Sequence, residues 1–242
     1  MHTTRVVSEL TRPAEGFYAS AVDSPRRLPV LTFLPGGYEP NYAYPLVLFF
    51  HGQGSSERQI LRLAPRLSRR NYICMALRGP QVAVRYQDGS LGYTWDDDLR
   101  TEAFAEEYAF QAIEQACSTY SIHPGRIYLA GFCEGASQAY RLGLAFPTRF
   151  AGIIAMNGQL PSNTPLLRWP EVRRLRVFMG HGIANSVIPL TAARQTHRLL
   201  YTAGLDVQLV TYPTTHRIHA DMLRDMNRWI MHGVTGQNPL SR

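Results

Sequence analysis

Short apolar runs alternate along this chain with longer segments whose apolar residues recur at helical spacing. The runs are short enough for buried strands, and they lie at residues 45–50, 72–77, 126–130, 150–156, 176–180 and 207–212. The helical segments lie at residues 57–68, 99–120, 136–146, 190–203 and 218–231. Strands that alternate with helices predict an α/β fold, a mostly parallel sheet with helices on both faces.

Two further features of the pattern refine this architecture. Residues 16–20 and 28–34 have the character of two short strands that precede the alternating part. Residues 78–98 show neither pattern and contain several turn-forming residues, so we predict one long loop there. A loop of this length in a compact domain usually has a function.

The stretch Gly131-Phe132-Cys133-Glu134-Gly135 lies between an apolar run and a helical segment. A Gly-x-nucleophile-x-Gly turn between a strand and a helix is typical of the nucleophile elbow. The glycines are needed because larger side chains would strike the chain that crosses beside the turn. The pattern predicts that the Cys133 thiol is exposed near the amides at the start of a helix, which would favour the thiolate.

A second glycine turn, His51-Gly52-Gln53-Gly54, follows the apolar run at residues 45–50. A turn of this kind at the carboxyl end of a strand can supply a backbone amide to an oxyanion hole. It precedes the elbow by about 80 residues, which fits the spacing of the two motifs in one fold.

A nucleophile at the elbow requires a base, and in this fold the histidine follows the last strand. His216 lies directly after the run at residues 207–212, with His219 as a nearby competitor. We favour His216 because it is closer to the end of the strand.

Cys74 falls inside a strand and Cys117 on a core-facing helical position, so we expect both to be buried and inert.

Composition narrows the range of functions. The 242 residues carry a formal net charge of +7, and the basic side chains other than histidine are all arginine. The arginines are scattered, so we expect no nucleic-acid module, although acidic substrates or surfaces stay possible partners.

The three cysteines are an odd number and favour a reducing compartment. No apolar run reaches 18 residues, and no signal peptide is visible, so we expect a cytoplasmic protein without a membrane span.

The chain resembles the phospholipase/carboxylesterase family of α/β-hydrolases, which includes acyl-protein thioesterases. The matching segments are His51-Gly52-Gln53-Gly54, Gly92-Tyr93-Thr94-Trp95-Asp96, His123-Pro124-Gly125-Arg126-Ile127, the elbow, Phe150-Ala151-Gly152-Ile153-Ile154, Asn157-Gly158-Gln159-Leu160-Pro161, His181-Gly182 with Val187-Ile188-Pro189, and His216. The resemblance implies one α/β-hydrolase domain over residues 1–242, with residues 1–15 as a loosely ordered extension. It implies no cofactor or metal, and it leaves the oligomeric state open, a homodimer included.

The resemblance also implies roles for individual residues. The backbone amides of Gln53 and Glu134 would form the oxyanion hole, and His216 would be the base. Tyr93 and Trp95 would line the acyl pocket, with packing of the loop as an equal alternative. The Glu134 side chain stands where the family commonly has Gln, and it could disfavour the thiolate or face away from it.

Two residues depart from the family pattern at the chemistry itself. Cys133 stands in place of the nucleophilic Ser, and Asn185 stands in place of the triad Asp. The cysteine is similar to that of dienelactone hydrolases, whose acid is not matched here. With a thiol the two changes are coherent, because an Asn can orient the imidazolium of a thiolate–imidazolium pair.

The expected activity is therefore hydrolysis of a small carboxylic ester or thioester through an acyl-enzyme on Cys133, with His216 as base and Asn185 as the orienting residue. Three alternatives stay open. The chain could be an inactive relative that only binds, it could pass the acyl group to another acceptor or cyclise it, or the two exchanges could have been introduced deliberately as a trap.

Overall fold

The structure is a computed structural model that describes residues 13–22, 28–95, 99–162, 164 and 170–236. Within these residues it contains ten strands: β1 (Gly16–Ala21), β2 (Pro29–Leu34), β3 (Tyr44–Phe50), β4 (Ile73–Leu77), β5 (Gln81–Arg85), β6 (Leu91–Thr94), β7 (Ile122–Phe132), β8 (Gly152–Met156), β9 (Arg176–Gly182) and β10 (Asp206–Tyr212). The helices over the same residues are α1 (Glu57–Leu61), α2 (Ala64–Leu67), α3 (Leu99–Thr119), α4 (Glu134–Ala145), α5 (Leu190–Thr202) and α6 (Ala220–Thr235). A short 3-10 helix spans Pro170–Arg174.

Eight of these strands form one sheet in the order β1-β2-β4-β3-β7-β8-β9-β10. The pairs from β4 to β10 are parallel, whereas β1 and β2 run antiparallel at one edge. The predicted mostly parallel α/β sheet is confirmed. Because parallel strands end at the same edge, the residues that follow β3, β7, β8, β9 and β10 are brought together there.

Helices cover both faces of the sheet, as the alternating pattern predicted. One hydrophobic cluster lies under α3, α4 and α5, and the other lies under α1, α2 and α6. Successive side chains of β3 enter opposite clusters: Leu46 and Leu48 pack in the first, Val47 and Phe49 in the second. A strand buried on both faces has apolar residues at every position, which explains the unbroken run at residues 45–50.

The predicted long loop at residues 78–98 is wrong over part of its length. β5 and β6 form an antiparallel hairpin within it. The hairpin docks on the turn after β3, where the Gly54 amide donates to the Tyr93 carbonyl at 2.8 Å and the Tyr93 amide donates to the Ser55 carbonyl at 2.7 Å. These strands form a separate two-stranded sheet, and β5 is largely exposed, so they lack the buried apolar run that marks the central strands.

Other boundaries also differ from the sequence pattern. The predicted helix at residues 57–68 is divided into α1 and α2, because Pro65 has no amide hydrogen to donate to the Leu61 carbonyl. Residues 123–125, predicted to end a helix, lie inside β7.

Cys117, predicted to face the core, is exposed. The buried stripe of α3 instead follows Tyr108, Ala112 and Ala116, one position away from the cysteine.

Residues 1–12 of the predicted N-terminal extension lie outside the described residues. Of its last three residues, Glu15 forms an ion pair with Arg69, with 2.7 Å between the carboxylate and Nε. No helix among the described residues is long and apolar enough to cross a membrane.

Candidate active site

Cys133 lies between β7 and α4 with φ 55, a left-handed conformation that L side chains adopt rarely. The glycines on either side make this turn possible. A Cβ on Gly131 would lie 2.0 Å from the carbonyl oxygen of Gly135, and a Cβ on Gly135 would lie 2.1 Å from the carbonyl oxygen of Phe50. The strained turn between strand and helix is therefore present, and it leaves the Cys133 side chain partly accessible at the carboxyl edge of the sheet.

The turn after β3 passes directly beside the elbow. A Cβ on Gly52 would lie 3.0 Å from Cβ of Cys133. The backbone amides of Gln53 and Glu134 both donate hydrogen bonds to the Cys133 sulfur. Two amides that converge on one atom are the geometry that an oxyanion hole requires.

His51 holds this turn in place, a role that the sequence motif did not reveal. The side chain is fully buried, its Nδ1 donates to the Gly52 carbonyl at 2.8 Å, and its Nε2 accepts from the Gly79 amide at 2.9 Å. The indole of Trp95 donates to the His51 carbonyl at 2.9 Å. Burial lowers the pKa of His51, so the ring is neutral, as its one donated and one accepted bond require.

The structure brings His216 and Asn185 together. The loop after β9 places Oδ1 of Asn185 3.1 Å from Nδ1 of His216. The same oxygen accepts the amides of Val187 at 3.1 Å and Ile188 at 3.0 Å. The His216 ring packs on Phe132, with 5.0 Å between ring centroids, which places it next to the elbow.

The competing histidine, His219, is occupied elsewhere. Its Nδ1 accepts the Asp221 amide at 3.2 Å, so the side chain caps the N-terminus of α6. Its ring also stacks on Tyr212, with 6.1 Å between centroids. Of the two candidate histidines after β10, His216 is therefore the one that bonds Asn185.

The electrostatics of the site differ from the expectation of a preformed thiolate–imidazolium pair. Burial raises the pKa of the Cys133 thiol, and the hydrogen bonds from Glu134 and Gln53 offset this only in part. Burial, together with the nearby His181, lowers the pKa of His216. Both directions favour the neutral forms, because a partly buried site without a carboxylate partner solvates charges poorly.

The Glu134 side chain faces the site rather than solvent. The hydroxyl of Thr94 at the end of β6 donates to Oε1 of Glu134 at 2.6 Å. The negative charge of this carboxylate contributes to the raised pKa of Cys133. Of the two alternatives for this side chain, the structure therefore favours the one in which its charge opposes thiolate formation.

Tyr93 and Trp95, the two predicted pocket residues, have different surroundings. Tyr93 is half-buried, and the guanidinium carbon of Arg78 lies 4.8 Å from its ring centroid. Trp95 is 0% exposed, and it packs on Phe50 with 5.2 Å between ring centroids. The structure thus places Trp95 in the core under the turn, which corresponds to the packing alternative.

Asn157, which sequence reasoning assigned no role, lies at the centre of the base side of the site. It follows β8, is fully buried, and has φ 49. Its Nδ2 donates to the Arg217 carbonyl at 2.8 Å, and its Oδ1 accepts from Gly182 at 2.8 Å and from Nδ2 of Asn185 at 3.2 Å. An Asn-Gly pair directly after a buried strand was the available signal, since Asn tolerates the left-handed conformation.

Among the residues that the structure describes, no group of three or more His, Cys, Asp or Glu residues could hold a metal ion.

Comparisons with known proteins place the chain in one family. A sequence model of the phospholipase/carboxylesterase family matches residues 40–233. Acyl-protein thioesterase 1 of Neurospora crassa is 27% identical over 146 residues, which are 59% of this chain and 56% of the thioesterase. Acyl-protein thioesterase 1 of Mycosarcoma maydis is 29% identical over 125 residues, 49% of this chain and 52% of that protein. The chain thus spans about half the length of these relatives.

Solved structures extend the similarity to the fold. A carboxylesterase from Mesorhizobium loti has a TM-score of 0.70 at 16% identity and covers 88% of this chain and 98% of its own. SOBER1 of Arabidopsis thaliana has a TM-score of 0.64 at 18% identity, with 79% and 100% covered. At these identities the likeness concerns the fold alone.

Proposed function

Since the chain belongs to the phospholipase/carboxylesterase family, we propose that it hydrolyses carboxylic esters or thioesters through an acyl-enzyme on Cys133. One observation supports this most directly. The amides of Gln53 and Glu134 converge on the Cys133 sulfur, while His216 is bonded through Nδ1 to Asn185 on the neighbouring loop. These contacts support the assignment of a nucleophile, two oxyanion donors, a base and an orienting group to one edge of the sheet.

In the first step Cys133 Sγ attacks the carbonyl carbon of the substrate, and its proton passes to Nε2 of His216. The carbonyl oxygen becomes an oxyanion that accepts hydrogen bonds from the amides of Gln53 and Glu134. When the tetrahedral intermediate collapses, the imidazolium of His216 returns the proton to the leaving alcohol or thiol. An S-acyl cysteine is left on the protein.

In the second step His216 Nε2 removes a proton from water as the water oxygen attacks the acyl carbon. Collapse of this intermediate releases the carboxylic acid, and the proton on His216 returns to the Cys133 sulfur. The pKa of Cys133 is raised and that of His216 is lowered, so we infer that His216 acts as a general base during the attack. A standing ion pair at rest is not required.

Incubation with the p-nitrophenyl ester of a short fatty acid tests the proposal by intact-mass spectrometry. The expected result is release of nitrophenolate together with a species heavier by one acyl group, mapped to Cys133. Cys133→Ala should show neither. If the unmodified protein forms no adduct and releases no more nitrophenolate than buffer, the proposed hydrolysis is refuted, and binding without catalysis replaces it.

A second measurement separates hydrolysis from acyl transfer. An added amine or alcohol competes with water for the acyl-enzyme. We expect free acid to stay the main product, because water is in large excess over the added acceptor. An acceptor ester or amide that forms faster than acid would instead identify a transferase.

A further inference from the structure

Asn157 links the two loops that carry the proposed base and its orienting residue. Its Nδ2 bonds the carbonyl of Arg217, the residue after His216, and its Oδ1 bonds Nδ2 of Asn185. Asn185 in turn bonds His216. Three hydrogen bonds and the covalent link between His216 and Arg217 join these four residues in a closed circuit on the base side of the site.

The direction of every bond in this circuit is set by backbone groups. The Gly182 amide can only donate, so the Asn157 atom 2.8 Å away must be the oxygen. The Arg217 carbonyl can only accept, so the other Asn157 atom must be the nitrogen. The orientation of the Asn157 amide is therefore determined without reference to any other side chain.

Asn157 and two backbone amides then determine the orientation of Asn185. The Asn157 oxygen requires a donor 3.2 Å away, which is Nδ2 of Asn185. The amides of Val187 and Ile188 require an acceptor, which is Oδ1 of Asn185. Both constraints give the same orientation, and they turn the Asn185 oxygen toward His216.

An oxygen acceptor 3.1 Å from Nδ1 of His216 requires that this nitrogen carries the hydrogen. Nε2 is then left with its lone pair, which is the form that can take a proton from Cys133. Building on the proposed role of His216 as base, we propose that Asn157 is a positioning residue that sets the His216 tautomer through Asn185.

The same geometry explains why an amide, and not a carboxylate, suits position 185. A carboxylate there would place an oxygen where Nδ2 now lies, 3.2 Å from the Asn157 oxygen, so two acceptors would face each other. His181 would not supply a replacement hydrogen bond to this oxygen, because its Nε2 already donates to the Ile188 carbonyl at 2.8 Å. Asn157 and Asn185 therefore act as a matched pair.

The direct test is the tautomer of His216, read from the nitrogen shifts of its ring by NMR near pH 8, above the ordinary histidine pKa of about 6.5. The wild-type ring should carry its hydrogen on Nδ1. Asn157→Gly, which retains the left-handed backbone but removes the amide, should give a mixture of both tautomers. Asn157→Asp keeps the oxygen that accepts from Gly182 and Asn185 but places its second oxygen against the Arg217 carbonyl, so the Nδ1 form should again be the main one without being pure.

Asn227→Ala is the matched control, because Asn227 also bonds with its side chain, to the Tyr72 hydroxyl at 2.6 Å, but far from the site. It should lower thermal stability without any change in the His216 ring. The proposal is overturned if Asn157→Gly retains a pure Nδ1 form, or if Asn227→Ala disturbs the tautomer equally. Should Asn157→Gly not fold, the Asn157→Asp spectrum decides: loss of the Nδ1 form there refutes the proposal.

Kinetics give a second, independent readout. Asn185→Asp should lower kcat when Asn157 is present, and the loss should be smaller by about tenfold in the Asn157→Gly background. Equal losses in both backgrounds would contradict the matched pair. The tautomer measurement does not depend on turnover, so a protein with the expected tautomer but no acyl-enzyme would refute only the proposed hydrolysis.

Discussion

The two sides of this site are built from different parts of the chain. The oxyanion side consists of backbone amides at Gln53 and Glu134, held by turns that only glycine permits. The base side consists of side chains, in which Asn157 bonds Asn185 and Asn185 bonds His216. The first side depends on backbone geometry and tolerates changes of side-chain chemistry, whereas the second depends on which atoms donate and which accept.

The difference indicates at which of the two departures from the family pattern a substitution should alter the hydrogen bonds of the site. The turn that presents Cys133 depends on Gly131 and Gly135, so we expect it to form with either a thiol or a hydroxyl at position 133. Asn185 replaces Asp on the side where donor and acceptor patterns matter, and Asn157 supplies the acceptor that its amide hydrogen needs. Variants on each side should therefore fail in different ways.

The largest effect is expected on the base side, from His216→Ala. Removal of the base should lower kcat for an activated ester by on the order of 10²–10⁴-fold, the usual contribution of positioned acid–base catalysis. His219→Ala serves as the control, since His219 only caps α6. It should cost about 1 kcal/mol of stability and leave kcat nearly unchanged. The reverse ranking of the two variants would transfer the base role to His219.

On the oxyanion side, Gly52→Ala tests the backbone. The added Cβ would lie 3.0 Å from Cβ of Cys133 and 3.2 Å from the Phe132 carbonyl oxygen, so the turn or the elbow must give by a few tenths of an ångström. Displacing one amide should lower kcat by about 10²-fold with little change in the folded structure.

The control for this variant is Gly125→Ala, whose Cβ would approach no closer than 3.4 Å to the His123 ring. It should leave kcat unaltered. An unaltered kcat for Gly52→Ala as well would mean that the Gln53 amide does not hold the oxyanion.

The pH dependence of thiol alkylation tests the neutral resting state. The pKa of Cys133 is raised, so its thiolate fraction near pH 7 is small, and it should still grow steeply with pH beyond the ordinary thiol pKa of about 8.5, where labelling of an unshifted thiol levels off. Iodoacetamide labelling of Cys133, followed by peptide mapping, should show this rise.

His216→Ala should hardly change the alkylation rate at neutral pH, because the neutral imidazole is not needed to hold a thiolate. The exposed Cys117 provides an internal reference in the same sample, whereas the buried Cys74 should stay unlabelled. Fast labelling near pH 6 that disappears in His216→Ala would demonstrate a standing ion pair instead.

The smallest effect concerns Trp95→Phe, which keeps the apolar ring in the core but removes the bond from the indole to the His51 carbonyl. The loss should be about 1 kcal/mol of unfolding free energy, measured by denaturant titration. KM should be the same for short and long acyl esters, because Trp95 is fully buried. A KM that changes with acyl-chain length in this variant would instead support a role for Trp95 in lining the acyl pocket.

Much of the fold could be predicted from the sequence because its central strands are buried on both faces and are therefore apolar at every position. The β5–β6 hairpin could not, since β5 is largely exposed and neither strand shows such a run. The prediction that Cys117 faces the core was wrong for a related reason. The apolar stripe of an amphipathic helix is about 100° or more wide, and sequence spacing does not determine whether a residue near its border is buried or exposed.

For the site, the sequence by itself determined the two glycine turns and the order of nucleophile and histidine, because glycine and chain order constrain the backbone locally. Only the tertiary structure decided that His216 rather than His219 bonds Asn185, and that Asn157 faces both loops. It also decided the directions in which the pKa values of Cys133 and His216 depart from their ordinary values. Hydrogen-bond direction and burial depend on neighbours that are distant in sequence, here from β8, β9 and β10, which meet only when the sheet is assembled.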